Sequence, residues 1–401
     1  MQVKRAFKYR FYPTDAQATE LSRTFGCVRK VYNLALAARS EAWTLRQEQV
    51  TYNQTSAMLT GWKKTEELAF LSDVSSVPLQ QTLRHVQTAF THFFAKRAKY
   101  PRFKTRKKSR KSAEYTRSGF RFRDGQLTLA KMTEPLDIAW SRPLPEGIQP
   151  STVNVSQDTA GRWFVSMLCD DPTIRPLPAT DKAVGIDVGL THLLTFSTGE
   201  KVANPRHERR DRVRLARAQR QLSRKARGEG TNRHKARRKV AKIHARIADR
   251  RRDLLHQLTT QLVRENQTLV IEDLTVRNMV KNHTLARAIS DASWSAFRSM
   301  LEYKASWYGR EVIVVDRFFP SSKLCSNCGS LRQEMSLSVR TWKCVCGTTH
   351  DRDVNAARNL LAAGLAASVC GAGVRRLPHT GRWAWSVELG SGSGDRGGVG
   401  A

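Results

Sequence analysis

Long apolar runs are missing from this 401-residue sequence. No stretch approaches the roughly 18 residues a membrane-spanning helix needs, which excludes a helical membrane protein. The first ten residues, Met1-Gln-Val-Lys-Arg-Ala-Phe-Lys-Tyr-Arg10, alternate basic and apolar side chains. They lack the continuous apolar core of a secretory signal, so we expect a soluble, cytoplasmic protein with no membrane partner. Acids are scarce: 35 Asp and Glu stand against 69 Lys and Arg, giving a net charge of +34 and a pI near 10.6. That imbalance implies a polyanionic partner, although membrane surfaces also attract basic chains. There is no Walker A phosphate loop, no Gly-x-Ser-x-Gly elbow and no internal repeat. P-loop NTPases, α/β-hydrolases and repeat solenoids are thereby set aside.

Cysteine is also sparse, but it is concentrated. Of seven cysteines, four fall within 22 positions: Cys325, Cys328, Cys344 and Cys346. Two close pairs of thiols in a large, unsecreted chain point to a metal rather than to disulfides. Four thiolates fill the tetrahedral shell of a structural Zn²⁺, leaving no position open for chemistry. A glycine follows each pair, suiting a tight knuckle turn. The second pair, Cys344-Val-Cys346, is one residue tighter than the usual C-x-x-C. His350 is a conceivable substitute ligand.

The chain reads in two halves. Residues 2–12 alternate as a strand with Val3, Phe7, Tyr9 and Phe11 on one side. Thr14 or Asp15 caps the helix that follows, and further helices are expected over 53–70 and 78–98. Residues 96–111 then carry ten Lys or Arg and no acid. Strand patterns return at 120–123, 127–129, 152–155 and 163–169, with a hairpin turn at 158–161. A proline-bearing linker over 171–180 leads into a mixed α/β region. Strands are expected at 183–189, 192–197, 268–273 and 312–315, with helices near 290–308 and 353–367. Residues 201–250 hold 19 Lys or Arg against four acids. A charge run is often only a solvated face or a loose arm, but two long runs with so few acids favour nucleic-acid contact.

Three positions carry suspicious acids. Asp187 and Glu272 end strands that otherwise read as fully buried, where an unpaired charge is costly. Asp351-Arg-Asp353 opens the last helix. Three such carboxylates on a mixed sheet could hold two Mg²⁺ ions for phosphodiester hydrolysis. Spacing leaves alternatives open: Asp351 or Asp353 could simply cap a helix, and Glu272 or Asp273 could end its strand in a salt bridge. Asp187 lies between Gly185 and Gly189, which allow close backbone approach by a ligand.

Together these segments resemble a known family. Gly185-Ile-Asp-Val-Gly189, Ile271-Glu-Asp-Leu274, Phe319-Pro-Ser-Ser-Lys-Leu-Cys-Ser-Asn-Cys-Gly329 and the stretch from Thr341 through Asn359 occur in its order. So do Lys8-Tyr-Arg-Phe-Tyr-Pro13, Gly26-Cys-Val-Arg-Lys-Val-Tyr-Asn33, Ser290-Asp-Ala-Ser-Trp294 and Glu302–Gly309. The chain, over roughly residues 1–370, is similar to TnpB, the transposon-encoded RNA-guided DNA nucleases related to miniature type V CRISPR effectors.

The resemblance implies an α/β plus β fold. A β-barrel wedge domain (1–12 and 113–172) would carry a helical recognition insertion (13–112). An RNase H-like RuvC nuclease domain (181–322 and 349–370) would hold an inserted zinc ribbon (323–348). Residues 371–401 would form a tail, disordered at its end. It implies Asp187, Glu272 and Asp353 as the catalytic, Mg²⁺-binding triad, choosing Glu272 over Asp273 and Asp353 over Asp351. Cys325, Cys328, Cys344 and Cys346 would be the zinc ligands. It implies a guide RNA from the transposon end, double-stranded DNA cut beside a short target-adjacent motif, and one protein per RNA, at the nucleoid of a prokaryote when on DNA. Tyr52, Gln54, Gln80 and Gln81 lie where the family reads that motif, with Tyr52 and Gln80 singled out, because glutamine can pair with adenine in the major groove. Two other readings accompany this one: a nuclease-inactive RNA-guided regulator, and a transposase that joins DNA ends directly.

Overall fold

The structure is a computed structural model that describes residues 3–225, 230–336, 338–370 and 375–376. The tail expected over 371–401 therefore lies almost wholly outside the described residues. The chain divides into two compact units: Met1–Arg175 with His207–Arg252, and Pro176–Arg206 with Asp253–Ala401.

In the first unit, β1 (Val3–Phe11) turns Phe7, Tyr9 and Phe11 into the core, as its alternation predicts. The cap of α1 (Asp15–Arg46) is Thr14, not Asp15. Its side chain accepts from the Gln17 N–H while the Gln17 side chain accepts from the Thr14 N–H, a capping box. The helix expected over 53–70 is instead α2 (Tyr52–Trp62) followed by a 3₁₀ turn, Glu66–Ser72. The Thr65 hydroxyl donates to the Trp62 carbonyl at 2.8 Å, a local bond that competes with helix continuation. With α3 (Ser76–Phe94), these helices bury Leu36, Leu71, Leu79, Leu83 and Val86.

Six strands follow: β2 (Lys111–Thr116), β3 (Phe120–Arg123), β4 (Gln126–Leu129), β5 (Ile138–Ala139), β6 (Pro150–Gln157) and β7 (Trp163–Asp171). β2 escapes sequence reading because it begins inside the basic run, yet its Ala113 and Tyr115 are core residues. The main sheet runs β2-β6-β7-β1-β5, entirely antiparallel, while β3 and β4 form a separate hairpin. Closing a barrel requires the outer strands to pair. Among the described residues β2 and β5 do not pair, and β5 has only two residues, so the expected barrel is an open sheet.

The basic segment forms α4 (His207–Ser223) and α5 (Thr231–Glu265). They pack through Leu215, Ala218, Ile243 and Ile247, with Arg250 on Asp211 at 3.0 Å. Arg162 is paired with Asp249, and Arg238 donates to the Ala160 carbonyl, tying α5 to the β6–β7 hairpin. α4 and most of α5, up to Arg252, thus pack with the first unit, although the linear order sets them within the span 181–322.

The second unit holds a mixed sheet, β10-β9-β8-β11-β12-β15. Its strands are β8 (Ala183–Val188), β9 (His192–Phe196), β10 (Lys201–Ala203), β11 (Thr268–Glu272), β12 (Glu311–Val315) and β15 (Arg375–Arg376). β8, β11 and β12 are parallel; the others run antiparallel to their neighbours. Between β11 and β12 lie α6 (Val276–Met279), α7 (Ala286–Ala292) and α8 (Trp294–Tyr308). Ser293, left-handed at φ 55°, separates α7 from α8 where the sequence reads as one helix. Leu269 and Ile271 face the cluster holding Phe297 and Leu301 of α8 and Leu262 of α5. Val270 faces the other way, toward Leu360 of α9 (Arg352–Cys370). Burial on both faces is why these strands read as continuous apolar runs. The small hairpin of β13 (Thr341–Lys343) and β14 (Thr349–Asp351) precedes α9.

α9 seats on β8 at Gly185. A Cβ there would lie 2.0 Å from the Ala357 carbonyl oxygen. Gly185→Ala should therefore destabilise the protein by about 1–3 kcal/mol, because helix backbone cannot give way as a side chain can. Gly26→Ala, in an open position on α1 with nothing within 4 Å, should be neutral or slightly stabilising. Denaturant unfolding of both variants tests the contrast.

Candidate functional site

The parallel register sets the first two acids. Ile186 is opposite Ile271, so Asp187 and Glu272 occupy the next step on neighbouring strands, roughly 5 Å apart along the backbone. The third arrives through the Gly185 contact. Asp187 is two residues beyond Gly185 on β8, and Asp353 is one helical turn before Ala357 on α9. Both steps span roughly 6 Å, so Asp353 is delivered to the same end of the strand as Asp187.

Electrostatics report the convergence. Burial pushes the Asp187 carboxyl up to about 8, and the charges of Asp353 and then Glu272 push the same way, with Arg352 opposing. Glu272 is pushed up to about 7, by burial and then by Asp273. Neither Asp187 nor Glu272 is in an ion pair among the described residues; Asp353 has Arg340 at 3.7 Å. Half-buried acids in mutual repulsion are the donor set that a hard divalent cation relieves.

Their acidic neighbours are engaged elsewhere. Asp273 accepts from Arg298 at 2.6 Å and from Arg317, and those bonds, Arg298 first, hold it below the usual carboxylate range. Asp351 accepts from the backbone N–H groups of Asp353 (3.1 Å) and Val354 (3.0 Å), so Asp351 is the cap of α9. Burial opposes its ionisation, but Lys201 at 2.6 Å and these N–H groups outweigh that and hold it low. Gly185 is used by α9 rather than by a ligand, which corrects the reading of that glycine.

The four cysteines come together. All four Sγ atoms lie within 4.8 Å of one another, with Cys325–Cys346 at 3.8 Å and Cys328–Cys344 at 3.6 Å. A tetrahedron with Zn–S bonds of about 2.3 Å has edges of about 3.8 Å, so the donor set fits zinc. The three carboxylates are not gathered so tightly. Gly329 (φ 74°) and Gly347 (φ 86°) take the left-handed turns expected after each pair. The tight Cys344–Cys346 loop closes through the Cys344 N–H to the Thr348 carbonyl at 2.9 Å. His350 adds no fifth donor to the group: its Nε2 lies 3.0 Å from the Cys325 sulfur and its ring packs on Trp342.

Two asparagines that sequence reading did not single out join this cluster to the acids. Asn355 accepts from the Ser326 N–H at 2.9 Å and donates to the Leu324 carbonyl at 2.7 Å. Asn359, one turn later, donates to the Ser321 and Leu324 carbonyls at 2.8 and 2.6 Å. Both are buried. Their spacing of four on one helix face, inside the motif Asp353-Val-Asn355-Ala-Ala-Arg-Asn359, was the available signal.

The charge is divided unequally. The first unit holds 48 Lys and Arg against 19 Asp and Glu, +29 of the total +34, and the second unit only +5. Tyr52 and Gln80 lie in the first unit. Gln80 is exposed on α3, and Arg84, one turn later, places its guanidinium 5.6 Å from the Tyr52 ring. Gln54 is occupied in the cap of α2 with Thr51, and Gln81 is half-buried.

The raised acids set a pH dependence. An Asp187 that ionises near 8 when folded but near 4 when unfolded binds its proton more tightly in the native state. Its contribution to stability is then present at low pH and lost as pH rises from about 4 through 8. In metal-free protein, Asp187→Asn should raise stability at pH 8 by about 1–3 kcal/mol and have little effect near pH 4. Thermal melts across that range, in chelator, test it.

Known proteins resemble this chain over most of its length. Residues 1–48 match a family model described as a helix-turn-helix domain, 165–283 one described as a probable transposase of the OrfB type, and 294–360 one described as a Cas12f1-like TNB domain. A Streptomyces pristinaespiralis protein named "Putative RNA-guided DNA endonuclease" is 72% identical over 93% of this chain and 92% of its own. Its Escherichia coli counterpart InsQ, of the same description, is 34% identical over 92% and 95%. A solved Cas12f1–sgRNA–target DNA complex aligns over 90% of this chain and 98% of that one, with a TM-score of 0.55 at 13% identity, a likeness of fold. With its ordered motifs, mixed sheet and four-cysteine cluster, the chain belongs to the TnpB family of OrfB/IS605-type proteins.

Proposed function

We propose that this chain is an RNA-guided endonuclease that hydrolyses double-stranded DNA beside a short target-adjacent motif, using a guide RNA from the transposon end. The observation that supports the reading is that Asp187 and Glu272 take matching steps at the ends of neighbouring strands and Asp187 feels the charges of Asp353 and Glu272, while Asp273 and Asp351 are tied up in ion pairs and a cap. The names of the 72% and 34% identical relatives point the same way.

In this reading the second unit is an RNase H-like RuvC nuclease core carrying a zinc ribbon over 323–348. Two Mg²⁺ ions bound at the three carboxylates would activate the attacking water and stabilise the leaving oxygen. Asp187, Glu272 and Asp353 are the residues that would hold these ions, and Asp187 is the most strongly perturbed of them. Zn²⁺ in the thiolate shell is structural. Through Asn355 and Asn359 the loop at the ribbon's base is fixed to the helix that bears Asp353.

The first unit supplies wedge and recognition functions. Its charge of +29 suits a partner held by its phosphates, with sequence delegated to base pairing. Tyr52, with Arg84 beside its ring, and Gln80 are the side chains we assign to reading the target-adjacent motif. One protein acts per guide RNA.

Asp187→Ala should lower RNA-programmed cleavage by at least about 1,000-fold, the scale of losing a principal catalytic group, while RNA binding persists. Cutting by wild-type protein without any RNA would overturn the proposal. Cys344→Ser should remove bound zinc, read by metal analysis of purified protein, and lower the melting temperature by removing binding energy that is also folding energy.

A further inference from the structure

The basic run at 96–111 is not a loose arm. Lys96, left-handed at φ 56°, ends the α3 segment, and Arg97 and Ala98 donate back to the His92 carbonyl at 2.9 and 3.1 Å. Tyr100 then returns over the helix. Its ring meets Phe93 (5.2 Å) and Phe90 (5.6 Å) edge-on, and its hydroxyl bonds the Ser40 hydroxyl of α1 at 2.7 Å. Pro101 is buried, and the Lys104 backbone is held at both its N–H and its carbonyl by the Asn33 side chain, at 2.8 and 2.9 Å. Beside these anchors the chain turns apolar rings outward. Phe94, stacked on Phe90 through one face, is 69% exposed, and Phe103 is 59% exposed.

Exposed phenylalanines are unusual where a chain has so many polar residues to offer. These two sit among Lys96, Arg97, Lys99 and Arg102, all exposed and none in an ion pair among the described residues. Aromatic faces interleaved with unpaired cations are the composition of a single-strand-binding surface: rings stack on bases of any sequence, and cations follow the phosphates. A protein partner is disfavoured by the absence of any acid from 96 to 111, whereas nucleic acid is complementary to it.

We propose that Phe94 and Phe103 form a stacking platform for unpaired nucleobases of the guide RNA. This rests on the RNA-guided reading above. RNA is the occupant rather than displaced DNA because, on that reading, the guide RNA is carried throughout the working cycle and keeps exposed rings covered, while a DNA strand is present only during cutting.

Full-length protein is titrated with oligouridine of about 12 nucleotides, oligothymidine of the same length and a matching RNA duplex, across about 50–400 mM salt. Phe94→Ala and Phe103→Ala should each weaken oligouridine binding about 5- to 100-fold. Duplex affinity should not move, and the slope of affinity against salt should stay the same, because stacking releases no counterions. Phe94→Trp should restore binding and Phe94→Leu should not. Replacing Arg97, Lys99 and Arg102 with Gln should instead flatten the slope for single strand and duplex alike. Bromouridine photo-crosslinks should map to 93–103. Both phenylalanines are exposed, and unchanged melting curves confirm folding. Unaltered oligouridine binding, or equal loss on duplex, overturns the platform. Loss on oligothymidine alone reassigns it to DNA and also overturns the proposal. RNA-dependent cleavage by the wild type is scored separately, so the RNA-guided reading can stand if the platform fails.

Discussion

The second unit depends on one steric fact: α9 needs β8 to have no side chain at position 185. With a hydrogen there, the helix backbone comes down to the strand, the Ala357 carbonyl occupies the space a Cβ would take, and Val270 closes on Gly364 in the same way along β11. The distance between helix and sheet then has little freedom. Asp353, at the start of that helix, must arrive beside Asp187. Repulsion among the acids is tolerated because packing of Leu360 on Val270, Ile313 and Val315 holds the helix regardless.

The same helix links two chemistries. Its first turn bears Asp353, an acid of the candidate active site, and Asn355; Asn355 and, one turn later, Asn359 grip the 321–326 loop leading into the cysteine cluster. Buried amides with several satisfied bonds are rigid connectors, since each bond broken leaves a buried polar group unpaired. The cysteine-bearing segment buries only a small cluster around Cys325, Trp342 and Cys344, and cross-linking by a metal is the usual remedy at that size.

The first unit follows a different rule. It collects +29 of the net charge on an open antiparallel sheet, a helical layer and the α4–α5 hairpin. Some cations are quenched internally, as with Arg162 on Asp158 and Asp249, or Arg250 on Asp211. Many others, including those around Phe94 and Phe103, are left facing solvent. A surface of that sign is poised for a polyanion, and salt governs how strongly it holds one.

Much of this was legible in the sequence because it depends on local physics. Alternation gave β1 and β7, two-faced apolar runs gave β8, β11 and β12, and the cysteine spacing gave the four-thiol cluster, since those patterns are fixed by pleat, burial and ligand geometry over a few residues. The split of 53–70, the break at Ser293 and strand β2 were not legible. They turn on a hydroxyl competing for a carbonyl, a single left-handed residue, and core contacts made far along the chain. The open edges of the first sheet were likewise invisible, because pairing between distant strands has no local signature. The sequence alone determined that three acids stand at strand and helix ends and that four thiols can meet. It left Glu272 against Asp273, and Asp353 against Asp351, to family resemblance. Only the tertiary structure separated them physically, because an acid's role depends on what faces it: Asp273 meets two arginines, Asp351 meets a lysine and a helix start, and Asp187 meets other acids.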